Sequence, residues 1–205
     1  MTDDIKYNAD ELYQAAIHIY TEATPNSNSM KFMLSFLLMH DEQIKDYDSV
    51  AAAEESPLAQ SLFAHFDFIK RVFMAKNFVT ITKESNDDMD WYEASPLIRQ
   101  FLRLYFEEKK PVFVDNMPAT EVQLNQDTPS VKRIKDILNE YIRPAVEMDG
   151  GAIFFHSFEE MTGTLKVTLQ GSCKGCPSSV VTLKQGIENL FRSMMPEVKE
   201  VMAEN

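Results

Sequence analysis

Hydrophobic and polar positions along this chain follow two rhythms, and the switches between them mark its elements. "AIHIYTEA" (16–23) and "MKFMLSFLL" (30–38) have the composition and near-alternation of strands, with "TPNSNS" (24–29) as the turn between them. "SPLAQSLFAHF" (56–66) changes to the helical period. Ser56 is a natural N-cap, Pro57 suits the first helical position, and Leu58, Leu62, Phe63 and Phe66 share one face. "IKRVFMAKNFVTITK" (69–83) predicts a hairpin that turns at Lys76 and Asn77. A second helix is expected from Ser95–Pro96, carrying Leu97, Phe101, Leu102, Tyr105 and Phe106 inward, with Trp91 anchoring its start.

The rhythm then lapses. "DNMPATEVQLNQDTPS" (115–130) is polar, holds Pro118 and Pro129, and shows no period, so it reads as a linker. A flexible coil of about 14 residues spans roughly 20 Å. Beyond it, Val131, Ile134, Leu138, Tyr141 and Ile142 predict a helix, which Pro144 must kink or interrupt. "MDGG" (148–151) stops that helix, Gly150 or Gly151 taking the left-handed conformation of a helix exit. Strands "AIFFHSF" and "TLKVTLQ" follow, then a helix striped by Val180, Leu183, Ile187, Leu190, Phe191 and Met194, ended by Pro196. "VKEVM" adds a short last strand. The expected fold class is α+β: two small α/β-sandwich-type domains joined by a flexible linker, the second with order α-β-β-α(-β). The expected boundaries are 15–114 for the first domain, 115–129 for the linker and 130–205 for the second domain.

Charge narrows the partners. The 205 residues carry a formal charge of −12, with −9 before Asn116 and −3 from there on. Nucleic acid and anionic membrane surfaces both call for clustered Lys and Arg, so neither is expected as a partner. The longest apolar run, "FMLSFLLM" (32–39), is far short of the roughly 20 residues of a spanning helix. The acidic N-terminus shows neither an apolar signal core nor an Arg-rich targeting pattern, and the expected location is cytoplasmic. Structural disulfides are unusual there, which leaves metal or redox chemistry for any thiol pair. The twelve methionines are dispersed and read as substitutes for Leu in the core. "NSNS" reads as a turn supplying side-chain hydrogen bonds.

The chain has one such pair. "LQGSCKGCPSSVV" (169–181) contains Cys173 and Cys176, the only two cysteines. Pro177 places Cys176 at a helix N-cap, so both sulfurs lie near unpaired N–H groups and a partial positive charge. That environment and Lys174 favour thiolate, while Gly171 and Gly175 leave bare backbone for a bulky inorganic group. A thioredoxin-like redox pair would need a strand pair and a cis-proline well beyond the motif, and only 29 residues follow Cys176. Tetrahedral zinc and iron–sulfur clusters usually take four ligands. His18, His40, His65 and His156 have no ligand spacing, so the missing donors must come from a second copy across a two-fold axis. A labile cluster at such a contact suits delivery better than electron transfer.

"RPAVEMDGG" (143–151) and "GTLKVTLQGSCKGCPSSVVTLKQGIENLF" (163–191) resemble the C-terminal domain of NifU and the Nfu proteins. "TEATPNSNSMKF", "SPLAQSLF", "FVTITKE" and "DWYEASPLI" are similar, in order, to the Nfu N-terminal domain. The resemblance runs from about Ala15 to Val201. It implies an iron–sulfur cluster carrier or late-acting scaffold, not an enzyme, that accepts a cluster from an upstream assembly scaffold and passes it to apo client proteins. It implies Cys173 and Cys176 as ligands of a [4Fe–4S] cluster shared by a homodimer. A [2Fe–2S] cluster takes the same four thiolates. Asp149, Gly150 and Gly151 match the family's D-G-G element, whereas Ala152 stands where many members have an acidic residue. Pro177, Ser178 and Ser179 would open the supporting helix. A zinc-bridged structural dimer and a thiol–disulfide oxidoreductase are the alternatives.

Overall fold

The computed structural model describes residues 17–39, 43–84, 89–114, 127–173 and 177–204. Two sheets organise it. The first has five antiparallel strands in the order β1-β2-β5-β4-β3: β1 Ile19–Ala23, β2 Ser29–Leu34, β3 Ile44–Tyr47, β4 Ile69–Ala75 and β5 Phe78–Lys83. Helices α1 (Pro57–His65) and α2 (Trp91–Glu107) cover one face. There Phe32, Val72, Met74, Val79 and Ile81 pack against Leu58, Leu62, Ile98 and Leu102 in the first core. The expected turns at 24–29 and at Lys76–Asn77 are both present, with Ala23 opposite Met30 and Ala75 opposite Phe78. Lys76 takes the left-handed conformation there, with φ of 41°.

Ser56 caps α1 as expected. Its hydroxyl accepts from the Ala59 amide at 3.2 Å and donates to the Val112 carbonyl at 2.8 Å, with the residue fully buried. The second helix differs from expectation. It starts at Trp91, capped by Asp90, whose carboxylate accepts from the Glu93 amide at 2.9 Å. Asp90 and Glu93 stand three apart, the spacing of a capping box, and this signal outweighs Ser95–Pro96. The Ser95 hydroxyl turns back onto the Trp91 carbonyl at 2.6 Å. The inward face also differs by one position: Ile98 is buried and Leu97 is 50% exposed. Strand β3 has no counterpart in the sequence reading, because four residues with two charges show too little period to detect.

The second sheet has the order β6-β7-β8, with β6 Gly151–Glu159 antiparallel to β7 Thr164–Gly171, and β8 Glu200–Glu204 parallel to β7. Helices α3 (Pro129–Ile137), α4 (Arg143–Met148) and α5 (Pro177–Met194) complete the α-β-β-α-β order. Its core joins Ile134, Val146, Ile153, Leu165, Phe191 and Val201. Thr128 caps α3, so the helix begins inside the stretch read as linker, most of which lies outside the described residues. Between α3 and α4, Leu138–Ile142 form a π-helical turn, and the Arg143 amide reaches back to the Leu138 carbonyl. This is the interruption expected at Pro144, and the extra residue turns Tyr141 outward to 47% exposure. The methionines are mixed: Met74 and Met195 are core residues, but Met161 is 92% exposed.

The two sheets meet. Strands β4 and β5 are buried along most of their length, which strict alternation does not produce. Their outer-face residues Phe73, Ala75 and Phe78 join Ala152 in a third apolar cluster, flanked by Met33, Ile44 and Phe154. The Lys76 ammonium pairs with Glu147 at 2.8 Å, and that of Lys31 donates to the Met148 carbonyl at 3.3 Å. A Ser56→Ala substitution removes both a cap and a buried hydrogen bond. We expect a loss of about 1–3 kcal/mol in urea unfolding with no change in the folded circular dichroism.

Candidate functional site

The cysteine loop hangs from the end of β7. Gly171 closes the strand with φ of 68°, and the opposing turn ends at Gly150 with φ of 78°. The Asp149 amide bonds to the Ala145 carbonyl and that of Gly150 to Glu147, so the "MDGG" stop forms as expected. Ser172 ties loop to turn: its amide donates to the Gly150 carbonyl at 3.3 Å and its hydroxyl to the Asp149 carbonyl.

Cys173 lies directly beneath this junction, 4% exposed and part of the second core. A Cβ on Gly151 would come within 2.8 Å of its Sγ and 2.7 Å of the Gln170 carbonyl oxygen. Glycine at 151 is therefore what lets the turn close over the thiol. A Cβ on Gly171 would stand 2.8 Å from the Gly150 carbonyl and 2.9 Å from the Phe73 ring. Helix α5 starts at Pro177, the expected first helical position, which puts the N-terminus of an 18-residue helix just after the loop. Lys174, Gly175 and Cys176 lie outside the described residues, as does any N-cap role for Cys176. For Ser178 and Ser179 only the helical backbone is described.

The first sheet also reaches this site. The Asn26 side chain donates to the Ser172 carbonyl at 2.9 Å, a buried bond across 146 residues of chain. Pro25, Asn26, Asp149, Ser172, Cys173 and Leu183 enclose a cavity of about 20 Å³, room for about one water. The "NSNS" turn makes its expected local bonds, with Asn26 Oδ1 accepting from the Asn28 amide at 3.0 Å. The Trp91 indole donates to the Ser27 carbonyl at 2.9 Å, anchoring the start of α2 to the same turn. Contact between the turn and the cysteine loop was not legible in the sequence. The fully buried Thr80 hydroxyl, where a Gly150 Cβ would meet it at 2.9 Å, has no hydrogen-bond partner among the described residues.

Burial pushes the Asp149 carboxyl above the usual carboxylate range, against the pull of the Lys31 ammonium. Among the described residues no three His, Cys, Asp or Glu side chains gather as a metal site. His18 stacks near Tyr20, His65 packs on Phe66 and Phe101, and His156 meets Glu204 at 3.3 Å; His40 lies outside the described residues. A groove of about 690 Å³ beside α2, lined by His65, Phe68, Leu97, Phe101 and Leu104 among others, holds no thiol. Of the described residues, Cys173 alone offers a thiol.

Comparison with known proteins places this geometry. Residues 19–109 match the family profile "Scaffold protein Nfu/NifU N terminal", and residues 134–202 match "NifU-like domain". The human "NFU1 iron-sulfur cluster scaffold homolog, mitochondrial" is 38% identical over 183 residues, covering 89% of this chain and 70% of that protein. This chain belongs to the Nfu/NifU family. "NifU-like protein 4, mitochondrial" of Arabidopsis thaliana is 38% identical, covering 91% of this chain and 65% of that protein. The chain thus spans less than two thirds of the length of several Nfu relatives. The solution structure of a NifU-like protein from Saccharomyces cerevisiae is also similar, at 24% identity and a TM-score of 0.43, over 49% of this chain and 87% of that one.

One expectation is corrected. These Nfu relatives are mitochondrial by name, which points away from the cytoplasmic location expected from the N-terminal composition. Targeting segments are removed from mature proteins, so residue composition near a chain's start is a weak guide to compartment.

Two outcomes check the site. Gly151→Ala should destabilise the protein by about 1–3 kcal/mol in urea unfolding, because the Gln170 carbonyl or Cys173 must move. For Asp149, a raised pKa in the folded protein means its charge opposes folding at neutral pH, and the penalty fades as pH falls through the raised folded value and is gone below the unfolded one. The stability of the parent relative to Asp149→Asn should therefore rise between pH 7 and pH 4; a difference independent of pH would contradict the assignment.

Proposed function

We propose that this protein is an iron–sulfur cluster carrier, or late scaffold, that holds a [4Fe–4S] cluster through Cys173 and Cys176 of two protomers and releases it to apo client proteins. The cluster is cargo. The observation that carries this reading is the match of the NifU-like domain to residues 134–202, the stretch that holds both thiols. The human relative's name supports the same role. One chain supplies two sulfurs where a cluster takes four ligands, and a second copy related by a two-fold axis doubles them. Two α5 N-termini would then face a single site, and their partial positive charges favour thiolate and an anionic cluster.

Release proceeds by ligand exchange. Each client thiolate that binds iron displaces one of Cys173 or Cys176, so no bond to protein need break before its replacement forms. This requires no general base and no phosphate-binding loop, which is why the role is carriage rather than catalysis. In the same reading, residues 15–114 and 130–205 are separate modules and 115–129 join them. The first module contributes to the choice of client or donor.

Reconstitution without oxygen tests the reading. About four irons and four sulfides should bind per two chains, with a visible absorption band and a shift toward dimer mass. Cys173→Ser and Cys176→Ser should each abolish the cluster while leaving the far-ultraviolet circular dichroism unchanged. Tight binding of zinc with no chromophore would replace the proposal with a structural dimer. Turnover of a disulfide substrate by the monomer would replace it with an oxidoreductase.

A further inference from the structure

We infer that the outer face of the first sheet is a removable cover for Cys173 and the adjoining D-G-G turn, and that this docking and cluster loading exclude one another. The exclusion rests on the function proposed above; the cover itself does not.

The cover is seen in three contacts. The Asn26 amide holds the Ser172 carbonyl, Lys76 pairs with Glu147 at the base of the D-G-G turn, and Phe73 and Phe78 press on Ala152 beside it. Beneath them the cavity between Asn26 and Cys173 holds about one water. A [4Fe–4S] core has eight atoms and does not fit this cavity, so it cannot reach Cys173 from that side while Pro25 and Asn26 close it.

The contact is also built to separate. Its apolar centre is small, and around it lie groups that water satisfies equally well: the Asn26 amide, the Lys31 ammonium and the Glu147 carboxylate. The Thr80 hydroxyl, which has no partner when docked, gains one on opening. Surfaces of this mixed character belong to interfaces that open and close. A ligand that binds only the open form shifts the population toward it, and docking weakens that ligand's binding by the same factor.

Charge reversal provides the test. In a Cys176→Ser background the sole thiol is Cys173, and its alkylation rate by iodoacetamide reports opening. Lys76→Glu and Glu147→Lys should each speed alkylation roughly five- to tenfold, and the double reversal should return it to the parental rate. Asn26→Ala should act in the same direction as the single reversals, and circular dichroism checks that each variant is folded. Unchanged rates in all three single variants, or a double reversal as fast as either single, would overturn the cover. With both cysteines restored, the single reversals should take up iron and sulfide faster than the parent. Equal uptake despite faster alkylation would overturn the exclusion. Charge-dependent alkylation with no cluster in any variant would uphold the cover and remove the proposed function.

Discussion

The site depends on an approach of backbone to sulfur that leaves no room for a side-chain carbon. Gly151 and Cys173 approach so closely that a Cβ on the first would lie 2.8 Å from the sulfur of the second. Everything nearby serves that closeness. The helix exit at Asp149 and Gly150 brings the turn over the loop, Ser172 clamps the two together, and Gly171 lets β7 end without striking the Gly150 carbonyl. A backbone packed this tightly around one thiol fixes where that sulfur points, leaving its environment to be changed by what lies on top.

What lies on top is the other half of the chain. The five-stranded sheet has helices on one face and the D-G-G turn on the other, which is why its middle strands are buried on both sides. The two faces differ in kind. The helix side is a large core of aromatic and aliphatic residues, whereas the outer side mixes Phe73 and Phe78 with Lys31, Thr80 and Thr82. Lys31 is satisfied there by Glu22 at 3.2 Å and by the Phe78 ring at 4.7 Å, so its burial does not leave a bare charge. A core of the first kind holds a domain together permanently; a surface of the second kind can be used and vacated.

Membership of the Nfu/NifU family sets the chemical context. A protein that stores a cluster must bind it well enough to protect it and loosely enough to lose it. The sharing of ligands between two chains proposed above would meet both demands, since separation of the protomers would remove half the donors at once. Against that background the burial of Cys173 is informative, because the sulfur proposed above as a ligand is here sheltered in a core.

Much of this was legible in the order of residues. Ser56–Pro57, the Lys76–Asn77 turn, the "MDGG" stop and Pro177 at the start of α5 are local signals, each settled by backbone chemistry within a few residues, and each appears where expected. The start of α2 was misplaced because two caps competed and Asp90 prevailed. Tyr141 turned outward because a π-helical turn inserted one residue into the helical count. Strand β3, the Asn26–Ser172 bond and the Lys76–Glu147 pair left no trace in the sequence. They join residues 25 to 146 positions apart, and nothing in a local pattern specifies which distant surfaces meet. The sequence alone therefore determined most of the elements and the identity of the thiols, since these follow from spacing and side-chain chemistry. Only the tertiary structure decided that Cys173 is buried in the second core and which face lies against its loop, because both depend on contacts between residues far apart in the chain.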